Sequence, residues 1–221
     1  MLKLRWETAV TDPKAYYEIP FGVMERPADG EEEPGQTWIA LRGAAFGAAM
    51  VNDCKYSFSM KEGDLNLTAI RSPYYNDHAR GDQQDPESEL SDQGETEFSY
   101  AMRAMDPAEG WGRLVREAHA FNTPCTAILD YNHRGTLPTS ACGLSLSAEN
   151  VELSALKRRE DDRGWVVRLY ETDGKETPFT LSGSLLPLPL TDTLPPFHAR
   201  TYTLPDGAAA WQPVLMTEWE A

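Results

Sequence analysis

Residues 46–73 read FGAAMVNDCKYSFSMKEGDLNLTAIRSP, and the spacing of their apolar side chains decides the fold class. Apolar residues recur at every second position in runs on either side of a turn sequence, Gly63-Asp64. The alternating positions are Ala48, Met50, Tyr56, Phe58, Met60, Leu65, Leu67 and Ala69. A period of two is typical of β-strands. We therefore predict two or three successive strands, with one face toward a core and the other toward solvent.

Composition limits the class of protein further. A chain of 221 residues that is 41% hydrophobic can form one large all-β domain or two small ones. Its net charge of −15 argues against binding to nucleic acid or to an anionic membrane surface, because such binding begins with clustered Lys and Arg. No apolar run approaches the roughly 20 residues that cross a bilayer. We expect a folded globular protein that binds neither nucleic acid nor membrane.

The rest of the chain is also mostly strand-like. Short alternating segments predict strands at 3–8, 16–24, 38–41, 95–102, 125–129, 143–147, 151–158, 165–171, 178–181, 184–190, 199–204 and 211–219. One helix is predicted from an N-cap at Asp106, with Pro107 at its first position, to Phe121. Its buried face is predicted from the helical spacing of Trp111, Leu114, Val115 and Ala118. Many short strands with a single helix predict an all-β fold, a large antiparallel β-sandwich over residues 1–221.

A polar segment, residues 74–94, interrupts this pattern. It is rich in Asp, Gln, Glu, Ser and Gly and has almost no apolar residues. Loops of this length in a compact domain are usually functional or mobile, and both interpretations stay open here.

Residues with reactive side chains are few, and their spacing is uninformative. Cys54, Cys125 and Cys142 form no metal-binding spacing, and an odd number argues against a disulfide framework. We expect reduced, structural cysteines and, from them, a cytoplasmic location. The four histidines have no zinc-binding spacing.

Arg71 is the strongest candidate for binding a ligand. It ends the last strand of the opening stretch and is followed by Ser72, Pro73 and the polar segment. Its rigid guanidinium could bind hydroxyl or carboxylate groups. A structural ion pair with Asp53 or Asp92 explains it equally well.

Six motifs, taken in order, resemble the C-terminal region of α-mannosidases of glycoside hydrolase family 38. They are FGVMERP at 21–27, VNDCKY at 51–56, AIRSP at 69–73, DQGETEFSYA at 92–101, ALKRRED at 155–161 and VRLYE at 167–171. The resemblance spans nearly the whole chain and implies a supersandwich of the carbohydrate-enzyme type. We therefore expect residues 1–221 to be the C-terminal β domain of such an enzyme, beginning inside its β region.

The resemblance implies that the catalytic residues lie elsewhere. In this family a separate N-terminal α/β domain carries the aspartate nucleophile, the acid/base carboxylate and the Asp and His ligands of a zinc or cobalt ion. No cofactor or catalytic residue is then expected in this fragment, which would be inactive alone. The expected partners are its own catalytic domain and a mannose-containing oligosaccharide, with homo-oligomerisation left open.

The resemblance also assigns roles within the chain. Arg71 matches an arginine at the active-site rim, and the segment after it is longer than in many relatives. Asn52, Asp53, Lys55 and Tyr56 match a motif expected to support the sheet beside the catalytic domain.

One alternative is a free-standing β-sandwich that binds carbohydrate or protein without catalysis. An aromatic stripe built from Trp38, Trp165 or Trp211 would favour it, although core packing explains each tryptophan better.

Overall fold

The computed structural model describes residues 1–73, 90–132 and 134–218. They form two compact units, one of Met1–Glu18 and Met24–Ala108, the other of Ile19–Val23 and Glu109–Ala221. Most of the polar segment predicted as a long loop, residues 74–89, lies outside the described residues.

The predicted fold class is confirmed: the described residues form four antiparallel sheets and a single helix. The first unit contains β1 (Leu2–Glu7), β2 (Lys14–Ile19), β3 (Gly22–Arg26), β4 (Glu33–Pro34), β5 (Trp38–Arg42), β6 (Gly47–Asn52), β7 (Ser57–Lys61), β8 (Asp64–Ile70) and β9 (Tyr100–Met105). The last residue of β2 and the first two residues of β3 belong to the short piece Ile19–Val23, which is assigned to the second unit. The second unit contains α1 (Trp111–Asn122), β10 (Ser145–Leu146), β11 (Val151–Arg158), β12 (Gly164–Glu171), β13 (Thr177–Ser182), β14 (Leu190–Leu194), β15 (Ala199–Pro205) and β16 (Gln212–Val214).

In the first unit the sheets have the strand orders β1-β8-β7-β4 and β3-β2-β5-β6-β9. Alternate residues of both sheets meet in one core, which includes Phe58 and Leu67 from the first sheet and Ile39 and Met50 from the second. Phe58 lies opposite Leu67 in the β7–β8 ladder, so the predicted period of two is the observed packing pattern.

The predicted solvent face is wrong for β6. All six of its residues are buried, so both faces of this strand are covered. Small side chains at Ala48 and Ala49 leave room for close packing, and a sequence pattern cannot show which strand is central in a sheet.

The second unit repeats the sandwich arrangement with smaller sheets, β10-β13-β14 and β11-β12-β15-β16. Its core combines Leu169 and Tyr202 from one sheet with Phe179, Leu181 and Leu194 from the other. The rings of Phe179 and Tyr202 meet edge to face with their centroids 6.3 Å apart.

Several predicted strands are absent or shortened. Residues 125–129 are irregular and exposed, and residues 184–189 form a turn region before β14 because Pro187 and Pro189 have no N–H to donate. The third, predicted at 211–219, is limited to Gln212–Val214. The strand predicted at 95–102 begins only at Tyr100.

The helix has the predicted buried face but starts four residues later than expected. Asp106 accepts a hydrogen bond from the Ala108 N–H and caps a turn rather than the helix. The first two helical N–H groups, of Trp111 and Gly112, instead donate to Oδ1 of Asp173, over 2.7 Å and 3.2 Å. Gly110 precedes them because a Cβ there would overlap the Asp173 carboxylate.

We predict that Asp173→Ala lowers the free energy of unfolding by about 1–2 kcal/mol, since it removes the acceptor for two helix N–H groups. Hydrogen exchange at Trp111 and Gly112 should accelerate. The matched control is Asp106→Ala, for which we expect less than about 0.5 kcal/mol. A larger loss for Asp106→Ala would assign the cap to the residue that the sequence suggested.

Candidate functional site

Arg71 lies immediately after β8, and its side chain is exposed. Since β7 and β8 are antiparallel, the end of β8 and the start of β7 lie at the same end of the sheet. Lys55 and Tyr56 directly precede β7, and Tyr56 is exposed. We call Arg71, Lys55 and Tyr56 the strand-end rim.

The chain on either side of residues 74–89 is held together beside Arg71. The N–H of Ser91 donates to the carbonyl of Pro73 over 2.8 Å, and the hydroxyl of Ser72 donates to the carbonyl of Ser91 over 2.7 Å. The amide of Gln93 donates back to the Ser72 hydroxyl. These bonds fix the backbone that follows Arg71.

Within the described ranges, Arg71 makes no ion pair with Asp53, Asp92 or any other carboxylate. Asp53 instead accepts a hydrogen bond from the Ser99 N–H over 2.9 Å. Burial would raise the pKa of Asp53, but hydrogen bonds from Cys54 and Ser99 outweigh it and lower that pKa below its usual value. The Arg71 guanidinium is therefore available to solvent.

The residues of the 52–56 motif occupy two different environments. Asn52 is completely buried, and its amide donates to the carbonyls of Gln36 and Thr37 while its Oδ1 accepts from the Lys55 N–H over 2.7 Å. Lys55 extends its ammonium to within 5.1 Å of the centre of the Phe98 ring. Asn52 thus joins β6 to the chain on both sides of it, whereas the side chains of the rim lie at the surface.

A groove of about 390 Å³ in the second unit was not anticipated from the sequence. It lies beside the start of α1 and is lined by Glu109, Arg113, Arg116, Asn150, Asp173 and Lys175, among others. Its residues come from segments more than 60 positions apart, so no local motif could have revealed it. Charges of both signs line it, and this mixture does not define one ligand class.

Glu152, on β11, is the described carboxyl group with the most strongly raised pKa. Its side chain is only 10% exposed and lies 3.1 Å from the guanidinium of Arg116 on α1. Burial raises the pKa of Glu152 to about 7, although the positive charge of Arg116 opposes the shift. The pair links the helix to the sheet on which it packs.

No metal site is formed by the described residues: no three His, Cys, Asp or Glu side chains among them are grouped to hold an ion. His119 and His198 are exposed, and His78 and His133 lie outside the described residues. The three cysteines are free, as predicted, but all are exposed and so are not core residues. No described helix is long and apolar enough to cross a membrane.

The three candidate tryptophans do not form an exposed aromatic stripe. Trp38 is fully buried. Trp211 packs on the core of the second unit and donates its indole N–H to the carbonyl of Leu188. Trp165 is half-buried, with the guanidinium of Arg158 over its ring at 5.2 Å.

Two family models match separate parts of the chain. Residues 1–79 match the glycosyl hydrolases family 38 C-terminal domain, and residues 150–193 match the glycosyl hydrolases family 38 C-terminal beta sandwich domain. The first matched stretch contains most of the strands of the first unit. The other matched stretch lies entirely in the second unit. The chain thus matches β-sandwich domains that are found in the C-terminal part of glycosyl hydrolases.

Both matches describe the C-terminal part of one family, and together they cover more than half of the chain. In these two stretches the chain matches the C-terminal region of glycoside hydrolase family 38. The predicted resemblance is confirmed.

Relatives known by name are much longer proteins. Alpha-mannosidase G of Dictyostelium discoideum is 27% identical over 198 residues, which are 86% of this chain and 17% of that protein. Alpha-mannosidase 2C1 of Mus musculus is 29% identical over 196 residues, which are 83% of this chain and 18% of that protein. The chain therefore spans less than a fifth of the length of these relatives.

Solved structures share the fold. A crystal structure of an alpha-mannosidase from Enterococcus faecalis V583 superposes with a TM-score of 0.72 at 18% identity, over 91% of this chain and 25% of that one. A glycosyl hydrolase family 38 protein from Enterococcus faecalis superposes with a TM-score of 0.74 at 19% identity, over 91% of this chain and 26% of that one.

Glu152 should make stability depend on pH. Because its pKa is higher in the folded state than the ordinary 4.5, its stabilising contribution is complete below pH 4.5 and is lost as the pH rises through about 7. We expect this loss to be on the order of 3 kcal/mol in the free energy of unfolding. Glu152→Gln should remove that component from urea denaturation curves recorded between pH 5 and 8.

The matched control is Glu176→Gln, which changes an exposed carboxylate of the nearby groove and should leave the pH dependence intact. An unchanged pH profile in Glu152→Gln would show that the buried carboxyl group does not titrate in this range.

Proposed function

We propose that this chain is the C-terminal β region of an α-mannosidase that hydrolyses terminal α-mannosides with retention of configuration. The observation that carries the proposal is the match of two separate stretches to C-terminal domain models of one glycoside hydrolase family. The names of the relatives support the substrate, since all four are alpha-mannosidases.

In this proposal the reacting carboxylates belong to the rest of the polypeptide. A retaining glycosidase needs two carboxyl groups about 5–5.5 Å apart that face the substrate. The buried glutamates among the described residues are already engaged: Glu18 with Thr37, Glu152 with Arg116, and Glu171 with surrounding backbone N–H groups. The zinc or cobalt ion expected for the family likewise has no donor set in the described residues, and we assign it to the catalytic domain.

The chain would contribute to the wall of the active site through the strand-end rim. Arg71 is exposed, and within the described residues its charge is not neutralised by a carboxylate. Its guanidinium presents several N–H donors in a fixed plane, which suits the hydroxyl groups of a sugar. The fixed backbone at Ser72 and Ser91 supports a defined position for this side chain.

We assign Asn52 and Asp53 a structural role, because their hydrogen bonds go to backbone groups of the same unit. The buried amide of Asn52 would keep the end of β6 in place and thereby support the rim. Lys55 and Tyr56, at the surface, would lie toward the catalytic domain. The cytoplasmic location and any homo-oligomer stay predictions.

We predict that purified chain 1–221 has no α-mannosidase activity, with zinc or cobalt added, against an aryl α-mannoside. The reason is that the proposal assigns both reacting carboxyl groups to the rest of the polypeptide. Turnover by the chain alone would contradict the proposal. Specific binding of a mannose oligosaccharide without turnover, in the chain alone, would favour a free-standing binding module instead.

In the full-length enzyme, we expect Arg71→Ala to lower kcat/KM by about 10- to 100-fold through lost hydrogen bonds to substrate. Arg71→Lys should recover only part of this loss, because an ammonium lacks the planar fork. The matched control is Arg163→Ala, which removes an exposed arginine from a turn in the second unit. Equal kcat/KM in Arg71→Ala and Arg163→Ala would remove Arg71 from the active-site wall.

A further inference from the structure

The segment between α1 and β10 is unusual in its exposure. We call residues 123–132 and 134–142 the arm; every one of them is exposed. Four large apolar side chains in it are almost completely in solvent: Ile128 (87%), Leu129 (100%), Tyr131 (93%) and Leu137 (89%). The other exposed large apolar side chains of the described residues reach at most 74%, at Met1. The arm is therefore the most prominent apolar surface on the described chain.

The arm is low in charge and carries large apolar side chains, a composition that favours burial against a partner surface. Asp130 and Arg134 cancel, so the arm carries no net charge on a chain whose net charge is −15. Segments that remain extended in water are usually highly charged and poor in large apolar residues. The arm has only two charged residues and four large apolar ones, and contiguous exposed apolar groups mark interaction surfaces.

The arm is long enough to contact something other than its own unit. Its two ends are anchored by α1 and by β10. Ten residues out and ten back can extend about 33 Å, compared with a radius of gyration of about 13 Å for a domain of 100 residues. Ile128, Leu129 and Tyr131 lie near the middle of the arm, which is the part that reaches furthest.

Two occupants could cover the arm: a second copy of the chain, or the part of the polypeptide outside these 221 residues. Burial of its four large apolar side chains would cover roughly 500 Å². A stable interface between separate proteins needs about 800 Å² per partner. Two chains that each carry a charge of −15 also repel one another.

The part of the same polypeptide outside this chain avoids both problems. Docking within one polypeptide does not incur the loss of translational and rotational freedom of association, and the effective concentration is high. Relatives devote more than four-fifths of their length to sequence outside the matched region, so there is enough surface to receive the arm.

We propose that the arm docks through Ile128, Leu129, Tyr131 and Leu137 into an apolar groove on the preceding part of the same polypeptide. The inference rests on the proposed function only in that the chain is part of a longer enzyme. The arm is then an attachment between the β region and the rest of the enzyme, in addition to the strand-end rim.

Limited trypsin digestion tests the proposal, because Arg134 provides a cleavage site in the arm. Cleavage after Arg134 should be at least about tenfold slower in the full-length polypeptide than in chain 1–221, since docking must open before the protease can act. Ile128→Asp with Leu129→Asp, in the full-length polypeptide, should restore most of the rapid cleavage. The matched control is Thr126→Asp with Ala127→Asp, which adds the same charges and keeps the large apolar side chains; it should stay protected.

Equal cleavage rates in the full-length polypeptide and in chain 1–221 would overturn the proposal. Protection of chain 1–221 that increases with its concentration would also overturn it, in favour of a second copy. The assay requires no mannosidase activity. Protection in a full-length polypeptide that is inactive on α-mannosides would support the arm while contradicting the proposed function.

Discussion

A single buried carboxylate organises the second unit. Glu171 is completely buried at the end of β12, and its two oxygens accept hydrogen bonds from the N–H groups of Asp173, Gly174, Lys175 and Phe197 and from the amide of Asn150. A buried charge is costly unless such donors surround it. Because three of these donors, the N–H groups of Asp173, Gly174 and Lys175, lie in the turn after β12, the carboxylate fixes the position of Asp173. Asp173 in turn accepts hydrogen bonds from the first N–H groups of α1. The position of the Glu171 carboxylate therefore determines where the helix starts.

Because the start of α1 depends on residues distant in the sequence, local sequence patterns predict some features of the fold and not others. Strands such as β7, β8, β11 and β12 are predictable from the sequence. The spacing of apolar residues at neighbouring positions is enough to indicate a strand. The helix was found, and its buried face was correct, but its start was wrong because the capping carboxylate lies 62 residues further along the chain. The apolar stretch at 125–129 predicts a strand but is irregular and exposed, since composition alone does not distinguish a strand in a sheet from an exposed segment.

The candidate site likewise has features that the sequence predicts and features that it does not. The exposed position of Arg71 at a strand end followed from the Ser-Pro sequence after it, and its role at the rim was suggested only by the family resemblance. The groove beside α1 and the pairing of Glu152 with Arg116 depend on side chains brought together from distant segments. Such pairs have no signal in a single sequence. They become visible only when the packing of the helix on the sheet is known.

The use of charge in the described chain argues for a supporting role. Acidic residues are abundant, yet the buried ones are committed to structure, and many exposed ones are in ion pairs of small individual value, such as Lys14 with Glu25. Each buried carboxylate already satisfies donors of its own unit, so it could not attack a substrate or protonate a leaving group without giving up that structural role. The buried carboxylates therefore stabilise the fold of the units in which they lie. In the proposed enzyme, the exposed guanidinium of Arg71 would contact the substrate, and the arm would attach the β region to the rest of the polypeptide.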